Sequence, residues 1–187
     1  MTPAGVLLTH GAGANAESAL LRRLDEELTA AGVLVVRHTL AFRAKRPKGP
    51  PMRGDDVADR AGLAAALAGL RQRAGTVIAA GHSYGGRQCS MLLAAQPAVA
   101  DGLITLAYPL HPPGKPEQLR TAHFPLIAQP MLAVMGDRDE FATVDEMTQA
   151  VKAIPSPVTL VVKPGWGHSL KPELSAVVLQ WLQRTFA

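Results

Sequence analysis

A chain of 187 residues can bury a core of its own, and this one carries a net charge of +4 and a single cysteine. One cysteine excludes an intrachain disulfide framework, and no apolar run approaches the roughly 18 residues that a membrane span needs. The basic excess is concentrated in Arg37, Arg43, Lys45, Arg46, Lys48 and Arg53. It lacks a recognisable module or a run of interleaved aromatics, so nucleic acid is not an expected partner. Met1-Thr2-Pro3-Ala4-Gly5 has no basic n-region and Val6-Leu7-Leu8 is too short for a signal h-region, which reads as a cytoplasmic protein.

Val6-Leu7-Leu8-Thr9 is the first strand candidate, and it runs into His10-Gly11-Ala12-Gly13-Ala14. This glycine-rich loop has neither dinucleotide-binding nor P-loop spacing, which argues against a nucleotide cofactor. From Asn15, a candidate N-cap, leucines at 20, 21, 24 and 28 recur at helical spacing until Gly32, and Val33 to Val36 is the second strand. The segment from Arg43 to Met52 reads as a basic Pro/Gly-rich loop, either simply solvated or forming a basic rim for an anionic substrate or partner. A helix is expected from Asp55 to Arg73, with Ala61, Leu63, Ala64, Leu67 and Leu70 as its inner stripe.

Thr76 to Ala80 is a third strand, and Gly81-His82-Ser83-Tyr84-Gly85-Gly86 follows it directly into a helix running to Ala95. Strand, sharp glycine-flanked turn and helix together make a G-x-S-x-G nucleophile elbow with Ser83 at its apex. The glycines permit a turn so tight that a Cβ would collide with backbone. Leu103–Ala107, Met131–Met135 and Val158–Val162 complete six strands, with helices over Val144–Ala153 and Pro172–Arg184. Continuous apolar strands alternating with helices imply an α/β fold: a parallel sheet covered on both faces, in one domain spanning 1–187. Every strand's C-terminal end then shares one edge, where ligands bind.

That edge collects the chemistry. The fifth strand ends in Gly136-Asp137-Arg138-Asp139-Glu140 and the sixth in Gly165-Trp166-Gly167-His168-Ser169. A serine needs an imidazole to take its proton and a carboxylate to orient that imidazole, and the chain order Ser, acid, His is that of the α/β-hydrolases. Ser83 is the candidate nucleophile, His168 the base and Asp139 the acid, with Asp137 as a turn cap or a partner of Arg138. His38, His111 and His123 fit the role of base less well, and His82 is expected in the packing beneath the elbow. The backbone N–H groups of Ala12 and Tyr84 are candidates for an oxyanion hole. His10, Gly11, Tyr108, His111 and Trp166 are candidate pocket residues. His10 reads first as a loop-bracing residue, whereas Tyr108 and His111 read equally as turn residues and Trp166 as packing. No histidine or cysteine spacing suggests a metal, and Cys89 reads as a small buried hydrophobe.

Leu8 to Ala14, Gly81 to Arg87, Tyr108 to Pro116, Gly136 to Phe141 and Gly167 to Ser169 resemble, in order, the small dienelactone-hydrolase-like α/β-hydrolases. The likeness is closer to the subfamily of testis-expressed protein thirty and the third regulatory subunit of the non-specific-lethal acetyltransferase complex. It covers nearly the whole chain, and the proline-rich Tyr108 to Pro116 is its most distinctive part. The resemblance implies Ser83, Asp139 and His168 as a triad with Ala12 and Tyr84 as oxyanion donors. It also implies a minimal sheet that begins at the third strand of the full fold. True dienelactone hydrolases use a cysteine where this chain has Ser83, so their substrate does not carry over. The short connection from Tyr108 to Pro130 leaves no room for a lid domain, which suits an open site for small soluble esters, thioesters or amides. A second reading keeps the fold as an interaction module that binds a partner through the basic loop.

Overall fold

A computed structural model describes residues 4–186. Six parallel strands form one sheet: β1 (Ala4–Thr9), β2 (Leu34–His38), β3 (Thr76–His82), β4 (Gly102–Leu106), β5 (Met131–Gly136) and β6 (Val158–Lys163). They lie in the order β2-β1-β3-β4-β5-β6. The helices are α1 (Ala19–Ala30), α2 (Ala41–Lys45), α3 (Asp55–Arg71), α4 (Tyr84–Ala95), α5 (Val144–Ala150) and α6 (Ser175–Phe186). This is the α/β-hydrolase arrangement, with six parallel strands, helices around them and, among the described residues, no lid.

Strand alternation splits the core in two. Leu7, Val77, Ala79, Leu103 and Ala133 face α3, α4 and α5, while Val6, Leu8, Ile78, Ala80, Ile104 and Val134 face α1 and α6. Both faces are covered, so the central strands read as unbroken apolar runs. On α1, Leu21, Leu24 and Leu28 are fully buried. Truncating any of these to Ala would cost about 2–5 kcal/mol.

Local expectations shift in three places. The N-cap of α1 is Ser18, whereas Asn15 turns the chain earlier by accepting from the Glu17 amide at 2.8 Å. On α3 the buried face is Asp59, Leu63, Leu67 and Leu70, and Ala61 points to solvent. The basic stretch opens with α2 rather than a loop. It is also not uniformly solvated: Arg43 is buried and Arg46 pairs with Asp55. Arg37 pairs with Glu17 and Asp25, each at 2.8 Å. Only Lys45, Lys48 and Arg53 of that group are exposed.

The topology places the site. After β1 the chain moves outward to β2, then returns to β3 on the other side of β1. The loops that leave β1 and β3 therefore diverge, and the crevice between them is where open α/β sheets bind ligands.

Candidate active site

Ser83 sits between β3 and α4 with φ 50° and ψ −119°, a left-handed conformation that side chains other than glycine rarely adopt. Holding it there costs on the order of 1–3 kcal/mol, supplied by its surroundings. The Ser83 amide donates to the Leu106 carbonyl at 2.8 Å, and the Arg87 amide closes the first helical turn on the Ser83 carbonyl at 3.1 Å. Glycine is required because a Cβ on Gly81 would collide with the backbone of Gly85 and Gly86. One on Gly85 would lie 2.5 Å from the His10 carbonyl oxygen. The elbow is thus pressed against the loop that follows β1.

The Ser83 Oγ lies 2.7 Å from His168 Nε2, and His168 Nδ1 lies 2.9 Å from both carboxylate oxygens of Asp139. A carboxylate only accepts, so Nδ1 carries the proton and Nε2 is left as the acceptor for the serine hydroxyl. The Asp139 side chain is 1% exposed, and its Oδ1 also accepts from the Phe141 amide at 2.9 Å. The Phe141 ring lies 4.0 Å from the imidazole, centroid to centroid.

Two stretches far apart in sequence are held in register to make this contact. The Arg138 amide donates to the Trp166 carbonyl at 2.9 Å, and the Gly165 amide donates to Asp137 Oδ1 at 2.7 Å. Asp137 therefore staples the loops after β5 and β6 together rather than pairing with Arg138. His82 works from beneath: its Nε2 donates to the His168 carbonyl at 3.1 Å. Burial holds the His82 pKa below that of a free imidazole, although this hydrogen bond opposes the shift. Spacing places His82 in the packing beneath the elbow and carries no signal for this contact.

A cavity of about 540 Å³ opens at Ser83, lined from the elbow side by Ser83, Tyr84 and Arg87 and from the β1 loop by Ala12. Pro51, Met52, Arg53, Gly54 and Asp56 close one side, and Pro109, Arg120 and Phe141 the other. Tyr84 opens α4, so its amide belongs to the first turn, whose N–H groups lack intrahelical acceptors and carry the positive end of the helix dipole. Arg43 braces the opposite wall. Its guanidinium donates to the carbonyls of Ala12, Ala14, Arg46 and Gly49, tying the β1 loop to the start of the basic segment. This inward clasp replaces the expected solvated or rim role of that residue. The Tyr84 hydroxyl donates at 2.8 Å to Asp59, which also accepts from the Phe42 amide at 2.9 Å. The hydrogen bond to a carboxylate and the burial both raise the tyrosine pKa, with burial the larger cause.

None of the five candidate pocket residues lines this cavity. His10 is fully buried; its Nε2 accepts from the Leu40 amide at 3.0 Å and its Nδ1 donates to the Gly11 carbonyl at 2.9 Å. Burial lowers its pKa. Gly11 lies behind Ser83, where a Cβ would sit 3.2 Å from that of the serine. Tyr108 is buried, donating to the Arg120 carbonyl at 2.6 Å, and burial pushes its pKa up to about 12. His111 is buried between the Pro112 carbonyl and Glu146. Trp166 packs at the edge of the α1/α6 core, its ring flanked by the ammonium groups of Lys163 and Lys171 at 5.6 and 5.7 Å. A place at a strand's C-terminal end sets the edge of the sheet but not the direction of the side chain. Of the actual lining residues, Arg87 had a signal: it lies one helical turn beyond Ser83 and so shares its face. Cys89, two turns into α4, is fully buried, and burial raises its pKa to about 12.

A sequence model described as the alpha/beta hydrolase domain matches residues 2–179. Among solved structures, an alpha-beta serine hydrolase homologue from Coxiella burnetii superposes with a TM-score of 0.73 at 22% identity, over 100% of this chain and 86% of that one. Dienelactone hydrolase from Anabaena variabilis gives 0.74 at 21% identity, over 99% and 86%. Est1E from Butyrivibrio proteoclasticus, solved with ferulic acid bound, gives 0.79 at 16% identity, over 98% and 89%. At these identities the likeness is one of fold.

Proposed function

This chain belongs to the alpha/beta hydrolase domain family, and from that premise we propose that it is a serine hydrolase that transfers the acyl group of a small soluble ester, thioester or amide to water. The observation that carries the reading is the continuous relay from the Ser83 hydroxyl through His168 to the buried Asp139, at the mouth of a cavity.

In this mechanism the Ser83 Oγ attacks the substrate carbonyl carbon while His168 Nε2 takes the hydroxyl proton. The developing oxyanion is received by the amides of Ala12 and Tyr84, and Asp139 stays ionised to stabilise the imidazolium. Collapse breaks the bond to the leaving group, which takes the proton from His168 and leaves an acyl ester on Ser83. Water then attacks that ester, giving its proton to Nε2. A second collapse returns the proton to Ser83 and releases the carboxylic acid. The strained backbone at Ser83 supports the reading, since such strain concentrates at functional sites.

We also propose that residues 1–187 act as one domain and that the chain falls nearest the subfamily named above, a placement resting on the Tyr108 to Pro116 segment. A cytoplasmic setting agrees with the lone, buried Cys89. The interaction-module reading keeps only Lys45, Lys48 and Arg53 of the basic segment, because Arg43 and Arg46 are spent on internal contacts.

A fluorophosphonate probe tests the nucleophile directly. Wild-type protein is expected to label stoichiometrically and Ser83→Ala not at all. Equal labelling of the two, or none of the wild type, would overturn the assignment.

A further inference from the structure

Two arginines line the Ser83 cavity without a carboxylate of their own. Arg87, on the first turn of α4, has a buried Nε with no acceptor. Arg120 comes from the connection after β4. That connection is fixed by its amide donating to the Leu110 carbonyl at 2.8 Å and by its carbonyl accepting from Tyr108, while Nη1 reaches only the Pro109 carbonyl, at 3.3 Å. Arg53 adds a third, exposed guanidinium to the same lining. The one carboxylate there, Asp56, is engaged by Arg60 at 2.9 Å.

Several arginines outside the cavity are paired with carboxylates: Arg37 with Glu17 and Asp25, Arg46 with Asp55, Arg71 with Asp101. Among the described residues no acidic side chain pairs with Arg87 or Arg120. Arg120 is held below the usual guanidinium range by burial and by the charge of Arg87. Unpaired, partly desolvated like charges are costly, and they persist where a ligand of opposite charge completes them. Planar guanidinium forks suit oxyanions in particular.

We propose that the Ser83 cavity takes substrates carrying an oxyanion, a carboxylate or a phosphate, which Arg87 and Arg120 hold while Pro109 and Phe141 flank the apolar part between it and the reacting carbonyl. This rests on the serine-hydrolase reading and narrows its substrate class to anionic esters or thioesters.

The test compares p-nitrophenyl monoesters of adipic, pimelic and suberic acid with their neutral methyl-capped analogues, using the ratio of kcat/KM within each pair. The anionic member is expected to be favoured by about tenfold or more, as charge-assisted hydrogen bonds of this kind supply. The preference should fall by about tenfold in Arg87→Met and in Arg120→Met, shrink with added salt, and survive in part in Arg87→Lys. No preference in the wild type, or an unchanged preference in both methionine variants, overturns the proposal and leaves the nucleophile untouched.

If no ester turns over, the nucleophile reading is what fails. Calorimetric titration of Ser83→Ala with adipate and with inorganic phosphate then reads the arginines alone. Binding that is lost in the double variant Ser83→Ala/Arg87→Met upholds the proposal, and absence of binding by both anions overturns it. The tighter of the two identifies the oxyanion.

Discussion

Two serine–histidine pairs lie along the same elbow and helix, with nearly equal contacts. Ser83 Oγ is 2.7 Å from His168 Nε2, and Ser90 Oγ is 2.8 Å from His123 Nε2. Their partners set them apart. His168 has Asp139 behind it, which fixes the proton on Nδ1 and leaves Nε2 free to accept. Ser90 donates its only proton to the Arg87 carbonyl at 2.8 Å, so its contact with His123 runs the other way, with Nε2–H donating to the hydroxyl. His123 has the Arg87 charge nearby where His168 has a carboxylate. Burial first, and that charge second, push its pKa down to about 4. Ser90 is fully buried, whereas Ser83 opens on a cavity. Proximity of a hydroxyl and an imidazole is therefore not the determinant. The tautomer set by the third group, and access to a substrate, decide which pair can act as base and nucleophile.

The sharpest way to break this contrast is to remove each hydroxyl in turn and measure p-nitrophenyl ester hydrolysis. Ser83→Ala is expected to lower kcat/KM by about 10,000-fold or more, whereas Ser90→Ala should change it by less than about twofold. Comparable losses from both would show that tautomer and access do not separate the two pairs. Next in size is Asp139→Asn, which presents an amide donor to Nδ1 and favours the wrong tautomer. A loss of about 1,000- to 10,000-fold in kcat is expected, with the fold intact by circular dichroism. Retained activity would mean that the acid is supplied elsewhere.

The smallest effect concerns the other pair and appears in stability. In the unfolded chain His123 takes a proton below about pH 6.5, but in the folded protein only near pH 4. Its contribution is therefore intact above pH 6.5 and is lost progressively as pH falls toward 4. Because the ring is only half-buried, the change is on the order of 1 kcal/mol. Urea unfolding at pH 7 and pH 4.5 should show His123→Gln losing less stability over that interval than wild type. Equal losses would place the acid sensitivity in His10, His38 and His82, which burial likewise holds below the normal imidazole range.

Much of the molecule follows from local sequence. Six apolar runs became six parallel strands with ends within a few residues of those expected, because a strand buried on both faces must be apolar throughout. The elbow was legible because Gly81, Ser83 and Gly85 meet a steric requirement confined to a few residues. His168 and a carboxylate from the loop after β5 were legible because parallel topology delivers every strand end to one edge.

The rest was decided by contacts between distant segments. Asp137, Asp139 and Glu140 share one loop, and only the pairing of that loop with Gly165 and Trp166 turns Asp139 toward His168 and Asp137 away from it. Arg43 and Arg53 read alike in sequence, yet one clasps carbonyls of the β1 loop inside the protein and the other lines the cavity. His10, Tyr108 and His111 reach the right edge of the sheet and then point into the fold. Sequence pattern fixes where along an element a residue lies. The direction of a polar side chain is set by whichever buried donor or acceptor most needs a partner, and those partners are assembled only when the chain is folded.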